Sequence, residues 1–373
     1  MQYLLRASFF LLFLTRFASA SDGYPSQQEI RQKIEMLAAQ FPFNAHVIVI
    51  GKSVMGREIF GLKISSRKNT VTTRPRMALI GGIHGDEIVG RELLVSFAQD
   101  LLVSYGKNPA IKHLIDQSEI YIFPCLNPDG CDMKLRTNSQ GVDLNREFPD
   151  LTTSDSDNSP EGRAPEVQAW MKFEATYPLC LSLTFHGGEI PTVNYPWDSI
   201  PQAFPQEALA RELSLAYALK NPSMRDNARF PGGIANGYDW YSINGGMQDW
   251  AYYYQHNLQL TIETTLLERP TYASVYQHYL DNRQSLFSYV QKIFQGFGLV
   301  NLPHQRAEIL IYSLRPVRVL NESISYNGNG EFYKVLLAGD YEVEVNFVQG
   351  ISKSYKVHVF SDGSENEFID WSK

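Results

Sequence analysis

His84 and Glu87 stand three residues apart in His84-Gly85-Asp86-Glu87, between the apolar run Met77-Ala78-Leu79-Ile80 and an apolar-periodic segment beginning at Ile88. Held where a strand turns into a helix, an imidazole nitrogen and a carboxylate oxygen at this spacing can reach one cation, leaving a third ligand to come from elsewhere. His186, which ends the strand-like run Leu179-Cys180-Leu181-Ser182-Leu183-Thr184-Phe185, is the candidate for that third ligand. Two histidines and a carboxylate around one zinc ion, with a fourth position open, activate water for hydrolysis. Glu263 closes the apolar run Leu260-Thr261-Ile262, where partial burial raises a carboxyl toward the pKa of a general base. Asn145 and Arg146, in Asp143-Leu144-Asn145-Arg146, set an amide beside a guanidinium, a pair suited to gripping a carboxylate through forked hydrogen bonds. Arg136, upstream of them, offers a second cation for a developing oxyanion. Taken singly, each of these residues has an ordinary alternative: a histidine satisfying a local hydrogen bond, a carboxylate at a strand edge facing water, an unremarked loop. Their joint occurrence makes the case for a metal site.

These residues need a scaffold that gathers distant positions. Strand-like runs at Ala45–Ile50, Met77–Ile80, Ile120–Phe123, Leu181–Phe185 and Leu258–Ile262 alternate with helical patterns at Ile88–Ser104, Pro165–Thr176, Gln206–Lys220 and Tyr272–Phe294. Such alternation predicts an α/β fold with a mixed, mostly parallel central sheet flanked by helices. His84, His186 and Glu263 fall just past the carboxyl ends of three runs, the edge at which open sheets of this type bind ligands. Beyond about Gln295 the pattern changes to short alternating segments at Ala307–Tyr312, Phe332–Leu337, Asp340–Val348 and Ser354–Phe360, punctuated by Asn327-Gly328-Asn329-Gly330 and Ala338-Gly339. These predict a small antiparallel β-sandwich. The expected organisation is therefore a leader at residues 1–20, a catalytic domain at 21–296 and a sandwich at 297–373.

Met1 to Ala20 carries Arg6, an apolar block Phe9-Phe10-Leu11-Leu12-Phe13-Leu14 and the small residues Ala18-Ser19-Ala20, the pattern of a cleaved secretory signal peptide. No later run approaches the length of a membrane helix, so a secreted or periplasmic protein without a membrane span is expected. A formal charge of −7 and the lack of a basic run argue against nucleic acid as a partner. Cys125 and Cys131 bracket the turn sequence Leu126-Asn127-Pro128-Asp129-Gly130, which could let them close a small disulfide; Cys180 reads as a buried, inert thiol. His46, His113, His256, His278, His304 and His358 have no neighbours that suggest ligation, and Trp250-Ala251-Tyr252-Tyr253-Tyr254 reads as pocket wall and core. Asn321-Glu322-Ser323 is a glycosylation sequon. Nothing in the chain demands more than a monomer.

In their order along the chain, several motifs resemble the zinc metallocarboxypeptidases, and most closely the branch containing carboxypeptidases N, E, M and D. They are Ser53-Val54-Met55-Gly56-Arg57, His84-Gly85-Asp86-Glu87 with Val89-Gly90-Arg91-Glu92, Asn127-Pro128-Asp129-Gly130, Gly141-Val142-Asp143-Leu144-Asn145-Arg146, His186-Gly187-Gly188, Asn194-Tyr195-Pro196 and Gly245-Gly246-Met247-Gln248-Asp249. The tail, with Gly330-Glu331-Phe332-Tyr333 and Leu337-Ala338-Gly339-Asp340-Tyr341, is similar to that branch's transthyretin-like sandwich. The resemblance implies His84, Glu87 and His186 as zinc ligands and Glu263 as the base that deprotonates the attacking water. It implies Arg136 as the group that polarises the scissile carbonyl, and Asn145 and Arg146 as the holders of the substrate's terminal carboxylate. Tyr241 would cap the bound C-terminus, and Asp198 with Gln248 would line the pocket for the last side chain, suiting Lys or Arg. Peptide or protein C-termini are the implied partners. The chain departs from the family pattern at Asp86 and Glu147, each in place of an asparagine, and in a segment between His186 and Asn194 that is one residue longer. Two other readings stay open: a catalytically silent peptide-binding protein, and a cell-wall peptide hydrolase on the same scaffold.

Overall fold

The protein is described by a computed structural model covering residues 23–66, 74–315, 321–326, 328, 330–361 and 367–373. The expected leader at residues 1–20 lies outside the described residues, as do Asn327 and Asn329 of the predicted turn and the side chain of Asn321 in the sequon. No described helix is long and apolar enough to cross a membrane.

Strands β1 (Ala45–Lys52), β2 (Glu58–Ile64), β3 (Arg76–Gly81), β4 (Glu119–Phe123), β5 (Leu181–His186), β6 (Thr192–Tyr195), β7 (Ile234–Asn236) and β8 (Leu258–Glu263) form one eight-stranded sheet in the order β1-β2-β4-β3-β5-β8-β6-β7. The centre is parallel, through β4–β3, β3–β5 and β5–β8, while the β1–β2 hairpin and the β6–β8 pair run antiparallel. The helices are α1 (Gln27–Gln40), α2 (Val89–Ser104), α3 (Pro109–Gln117), α4 (Pro128–Met133), α5 (Pro165–Thr176), α6 (Glu207–Ala218), α7 (Pro222–Arg225), α8 (Gly237–Tyr241), α9 (Met247–Gln255) and α10 (Val275–Val290).

A strand's period of two distributes its side chains between the two faces of this sheet. Met77 and Leu79 of β3 and Ile120 and Ile122 of β4 enter the core shared with α1, α2, α6 and α10, whereas Ala78, Ile80, Tyr121 and Phe123 enter a second core under α5 and α9. The same alternation in Leu181-Ser182-Leu183-Thr184-Phe185-His186 and Leu258-Gln259-Leu260-Thr261-Ile262-Glu263 sends all six apolar residues to the first core. The polar residues fall on the α9 side, where Ser182 bonds Gln259 at 3.1 Å and Thr184 bonds Thr261 at 3.2 Å. His186 and Glu263 end these two polar rows and are direct register partners on β5 and β8.

The C-terminal strands are β9 (Gly296–Val300), β10 (Ala307–Arg315), β11 (Asn321–Tyr326), β12 (Glu331–Val335), β13 (Gly339–Phe347), β14 (Ser352–Val359) and β15 (Glu367–Asp370). They make a four-stranded antiparallel sheet, β11-β10-β13-β14, and a three-stranded one, β12-β9-β15, in which β15 runs parallel to β9. Between them lies a separate core including Phe297, Ile309, Ile311, Val343 and Val345.

Cys125 and Cys131 are joined as a disulfide across their turn. Cys180 is free and buried, and burial pushes its thiol up to about 12, which leaves it unreactive near neutrality.

Candidate metal centre

The chain leaves β3 through a tight loop before α2 begins, and the loop is pinned by its contact with α4. A Cβ on Gly85 would lie 2.0 Å from the carbonyl carbon of Gly130, so only glycine allows this approach. Asn127, fully buried, donates from Nδ2 to the Ile83 carbonyl at 3.3 Å and to the Arg136 carbonyl at 3.5 Å, tying the loop to the segment that carries Arg136.

Within this frame the three predicted ligands meet. Nδ1 of His84 and Oε1 of Glu87 are 2.8 Å apart, Nδ1 of His186 and Oε2 of Glu87 2.8 Å, and the two Nδ1 atoms 3.2 Å. One ligand atom from each lies within 4.8 Å of the others, the only such group of histidine, cysteine or acidic side chains among the described residues. All three are buried, at 2%, 4% and 5% exposure for His84, Glu87 and His186. Burial opposes charge on His84, but Glu87 and Asp143 outweigh it and carry its pKa up to about 9. Burial likewise opposes charge on Glu87, yet the two histidines hold it well below the usual carboxylate range. His186 moves down, because burial prevails over the pull of Glu87. Two imidazole nitrogens and a carboxylate converging on one point are a donor set that fits zinc.

Glu263 stands beside this group with its Oε2 buried and without a hydrogen-bond partner. Burial first, and the Glu87 charge second, push its pKa up to about 8. A carboxyl so placed holds a proton readily, and a cation bound next to it would draw its pKa back toward neutrality. Arg136 lies at the same edge, with Nη1 at 3.0 Å from Glu87 Oε1 and Nε at 3.0 Å from Asp143 Oδ2.

Asp143, a motif residue with no role assigned from sequence, sits at the centre of these contacts. Its Oδ1 faces His84 Nε2 at 3.1 Å and accepts from the Asn145 amide at 3.0 Å, while its Oδ2 takes Arg136. One carboxylate thus aims the imidazole, the guanidinium and the turn bearing Asn145 and Arg146. The signal available in sequence was an Asp two residues before an Asn, the spacing of a side chain that caps its own turn. A carboxylate behind a ligating imidazole fixes its tautomer, and losing it costs about 10- to 100-fold in metal affinity. Asp143→Asn is therefore expected to weaken zinc binding by that factor, measured by competition with a chromophoric chelator; unchanged affinity would remove Asp143 from this role.

Asn145 accepts from the Met247 amide through Oδ1 at 2.9 Å, which directs its NH2 group elsewhere, and Arg146 donates from Nη1 to the Asn145 carbonyl at 2.8 Å. Glu147 makes no ion pair with Arg146 among the described residues, and Asp86 stays outside the ligand group with Oδ1 buried and unpartnered. Asp198 is 3% exposed; its Oδ1 accepts from Gln248 Nε2 at 3.0 Å and Asn194 Nδ2 at 3.2 Å, and its backbone amide is held by Asp249 at 2.9 Å. A Cβ on Gly237 would lie 1.8 Å from that same Oδ1. Tyr241 ends α8 and is 67% exposed. Asp249 and Asn127, which stand in the sequence only as motif members, and Gly237 owe their roles to contacts between segments far apart in the chain.

A sequence profile described as zinc carboxypeptidase matches residues 30–285. Carboxypeptidase M of Mus musculus is 31% identical over 371 residues, covering 91% of this chain and 82% of its own. Carboxypeptidase D of Homo sapiens is 30% identical over 336 residues, covering 83% of this chain but 24% of its own, so the chain spans about a quarter of the length of such relatives. Among solved structures, thrombin-activatable fibrinolysis inhibitor aligns with a TM-score of 0.61 at 22% identity, over 74% of this chain and 76% of that one. Carboxypeptidase A from Helicoverpa armigera aligns with a TM-score of 0.61 at 20% identity, over 77% and 78%. At these identities the structural likeness is one of fold.

Proposed function

The chain belongs to the zinc carboxypeptidase family, and from that premise we propose that it is a zinc-dependent exopeptidase that hydrolyses the C-terminal bond of peptides or proteins and releases basic residues, Lys or Arg. The observation that carries the reading is the convergence of His84, Glu87 and His186 beside the unpartnered Glu263 carboxyl. Neither a silent binding protein nor a different clamp is needed to account for it. A zinc ion held by those three side chains would lower the pKa of a water and polarise the scissile carbonyl. Glu263 takes the proton from the attacking water and passes it to the departing amine. Arg136 turns its guanidinium from Glu87 toward the oxyanion as that charge develops. Asn145 and Arg146 grip the terminal carboxylate, so that only the last peptide bond reaches the attacking position, and Tyr241 closes over the bound end.

For the last side chain, Asp198 supplies the anion and Gln248 orients it. Burial, and after it the Asp249 charge, push the Asp198 carboxyl well above its ordinary value. An entering guanidinium or ammonium favours the ionised form, so KM for Arg-terminal peptides should fall as pH rises, until the free carboxyl is already ionised. Asp198→Asn should abolish that slope and lower kcat/KM for Arg-terminal dipeptides by about 10- to 100-fold, with Phe-terminal ones little changed. A panel of dipeptides differing only in the last residue, assayed with and without chelator, tests the whole reading. Chelator-insensitive cleavage removes the metal mechanism. Equal rates on Arg and Phe termini, unaltered in Asp198→Asn, remove the basic preference, and cleavage of muropeptides alone would favour a cell-wall hydrolase.

The same reading assigns residues 21–296 to catalysis and 297–373 to a transthyretin-like domain, supported by a separate core built wholly from residue 297 onward. It also places the enzyme outside the cytosol. The leader-like residues 1–20 and the Cys125–Cys131 disulfide support export.

A further inference from the structure

Among the contacts between the sandwich and the catalytic sheet's helices is a buried polar cluster, and that cluster leads to the terminal-residue pocket. Glu322 of β11, its side chain 11% exposed, accepts from the Tyr252 hydroxyl and from Gln206 Nε2 at 3.2 Å, and it forms an ion pair with Lys334 of β12, whose Nζ is 3.2 Å away. Lys334 is 3% exposed, and its Nζ also lies 5.1 Å above the Tyr252 ring. Tyr252 sits on α9 one turn beyond Gln248, on the same face, since residues four apart stack along a helix. Its ring packs edge-on against Trp197, with centroids 5.3 Å apart, and against Phe204 at 4.4 Å. Trp197 precedes Asp198. Both neighbours of Tyr252, along α9 and across the ring contact, are therefore the residues that present the pocket carboxylate and its orienting amide.

The geometry points to Glu322 and Tyr252 as positioning residues of the specificity pocket, through which the C-terminal sandwich holds Asp198 and Gln248 in place. The inference rests on the reading of Asp198 as the anchor for a basic side chain, but the brace itself is a physical contact that can be measured separately. A hydroxyl bonded to a buried carboxylate fixes the ring; the ring fixes Trp197; and Asp249, one residue after Gln248, holds the amides of Asp198 and Ser199 at 2.9 and 2.8 Å. Arg76 paired with Glu331, and Gln295 bonded to Leu336 through two contacts of 3.0 and 3.1 Å, attach the sandwich independently. Loss of the Tyr252–Glu322 bond should loosen the pocket without detaching the domain.

The test compares the full-length zinc-loaded enzyme with Tyr252→Phe and Glu322→Gln, by hydrogen exchange and by kinetics on Arg- and Phe-terminal dipeptides. Tyr252→Phe keeps the ring and leaves Glu322 paired with Lys334 and Gln206, so it remains informative if Glu322→Gln fails to fold. Exchange is expected to rise about tenfold over residues 194–204 and 247–255 and to stay unchanged over residues 84–92. KM for Arg termini should rise about five- to tenfold, with kcat within about twofold and full zinc content, a split that general destabilisation would not give. Unchanged exchange at both segments overturns the brace, whatever the specificity. Faster exchange with unaltered KM in an enzyme that prefers Arg overturns the link to the pocket. Faster exchange in an enzyme with no basic preference supports the brace and removes the pocket reading instead.

Discussion

Glu263→Gln should lower kcat about 10³- to 10⁴-fold while leaving zinc content and KM close to those of the parent protein. The substitution preserves shape and removes only the ability to take a proton. Because Oε2 of Glu263 has no hydrogen-bond partner to lose, the change breaks no contact of that atom. Its effect on stability should even be favourable, and the sign follows from the proton balance. A carboxyl raised from 4.5 to about 8 binds its proton more tightly in the folded chain, so its contribution is present below pH 4.5 and is lost as pH rises through about 8. Glutamine has no such loss. In the metal-free proteins the melting temperature of the variant relative to the parent should therefore climb across that window and level off above it. Steady-state rates, zinc by elemental analysis and melting curves at several pH values check all three statements. A kcat within tenfold of the parent would pass the role of base to another group, and a flat melting difference would remove the burial argument.

The parts of the site that sequence reveals are those set by period and by ends. Strands β5 and β8 alternate strictly, so the side of the sheet on which His186 and Glu263 fall follows from counting, and their adjacency follows once the strands are parallel and in register. The three-residue spacing of His84 and Glu87 does the same for the loop after β3. Where tertiary contacts decide, the pattern gives no warning. Strands β6 and β7, of four and three residues, are too short to show a period and exist because β6 pairs with the edge of β8. Strand β2 carries Gly61 in its middle, whose Cβ would lie 2.7 Å from the Phe123 ring, so a close approach from β4 rather than strand propensity selects the residue. The run Trp250-Ala251-Tyr252-Tyr253-Tyr254 favours strand by composition yet forms α9, with Trp250 buried, Tyr252 buried and Tyr253 47% exposed. The contacts of Asp143 with His84, Asp249 with Asp198 and Asn127 with Ile83 join residues tens of positions apart, which no local window contains.

Those partners also explain how the metal-free chain keeps its ligands together, and this leads to the second large effect. His186→Ala should abolish zinc binding and activity together, whereas the parent protein stripped by chelator should regain both on adding zinc. Zinc at about a hundred times its dissociation constant stabilises the folded chain by about 2.7 kcal/mol, which for a domain of this size raises the melting temperature on the order of 4–5 °C. The size of that shift should depend on pH in a particular direction. Without metal, the His84 imidazole is stabilised in its charged form by Glu87 and Asp143 and its pKa is carried from 6.5 to about 9. This stabilisation is complete below pH 6.5 and disappears as pH rises through about 9. With metal, His84 is a neutral ligand and contributes no such slope, and zinc no longer has a proton to displace. The difference in melting temperature between zinc-loaded and stripped protein should thus widen between pH 6.5 and 9, and apparent zinc affinity should rise over the same interval. A difference independent of pH would mean that His84 is not charged by its carboxylate neighbours before the metal arrives, and that the convergence of the three side chains is held by packing alone.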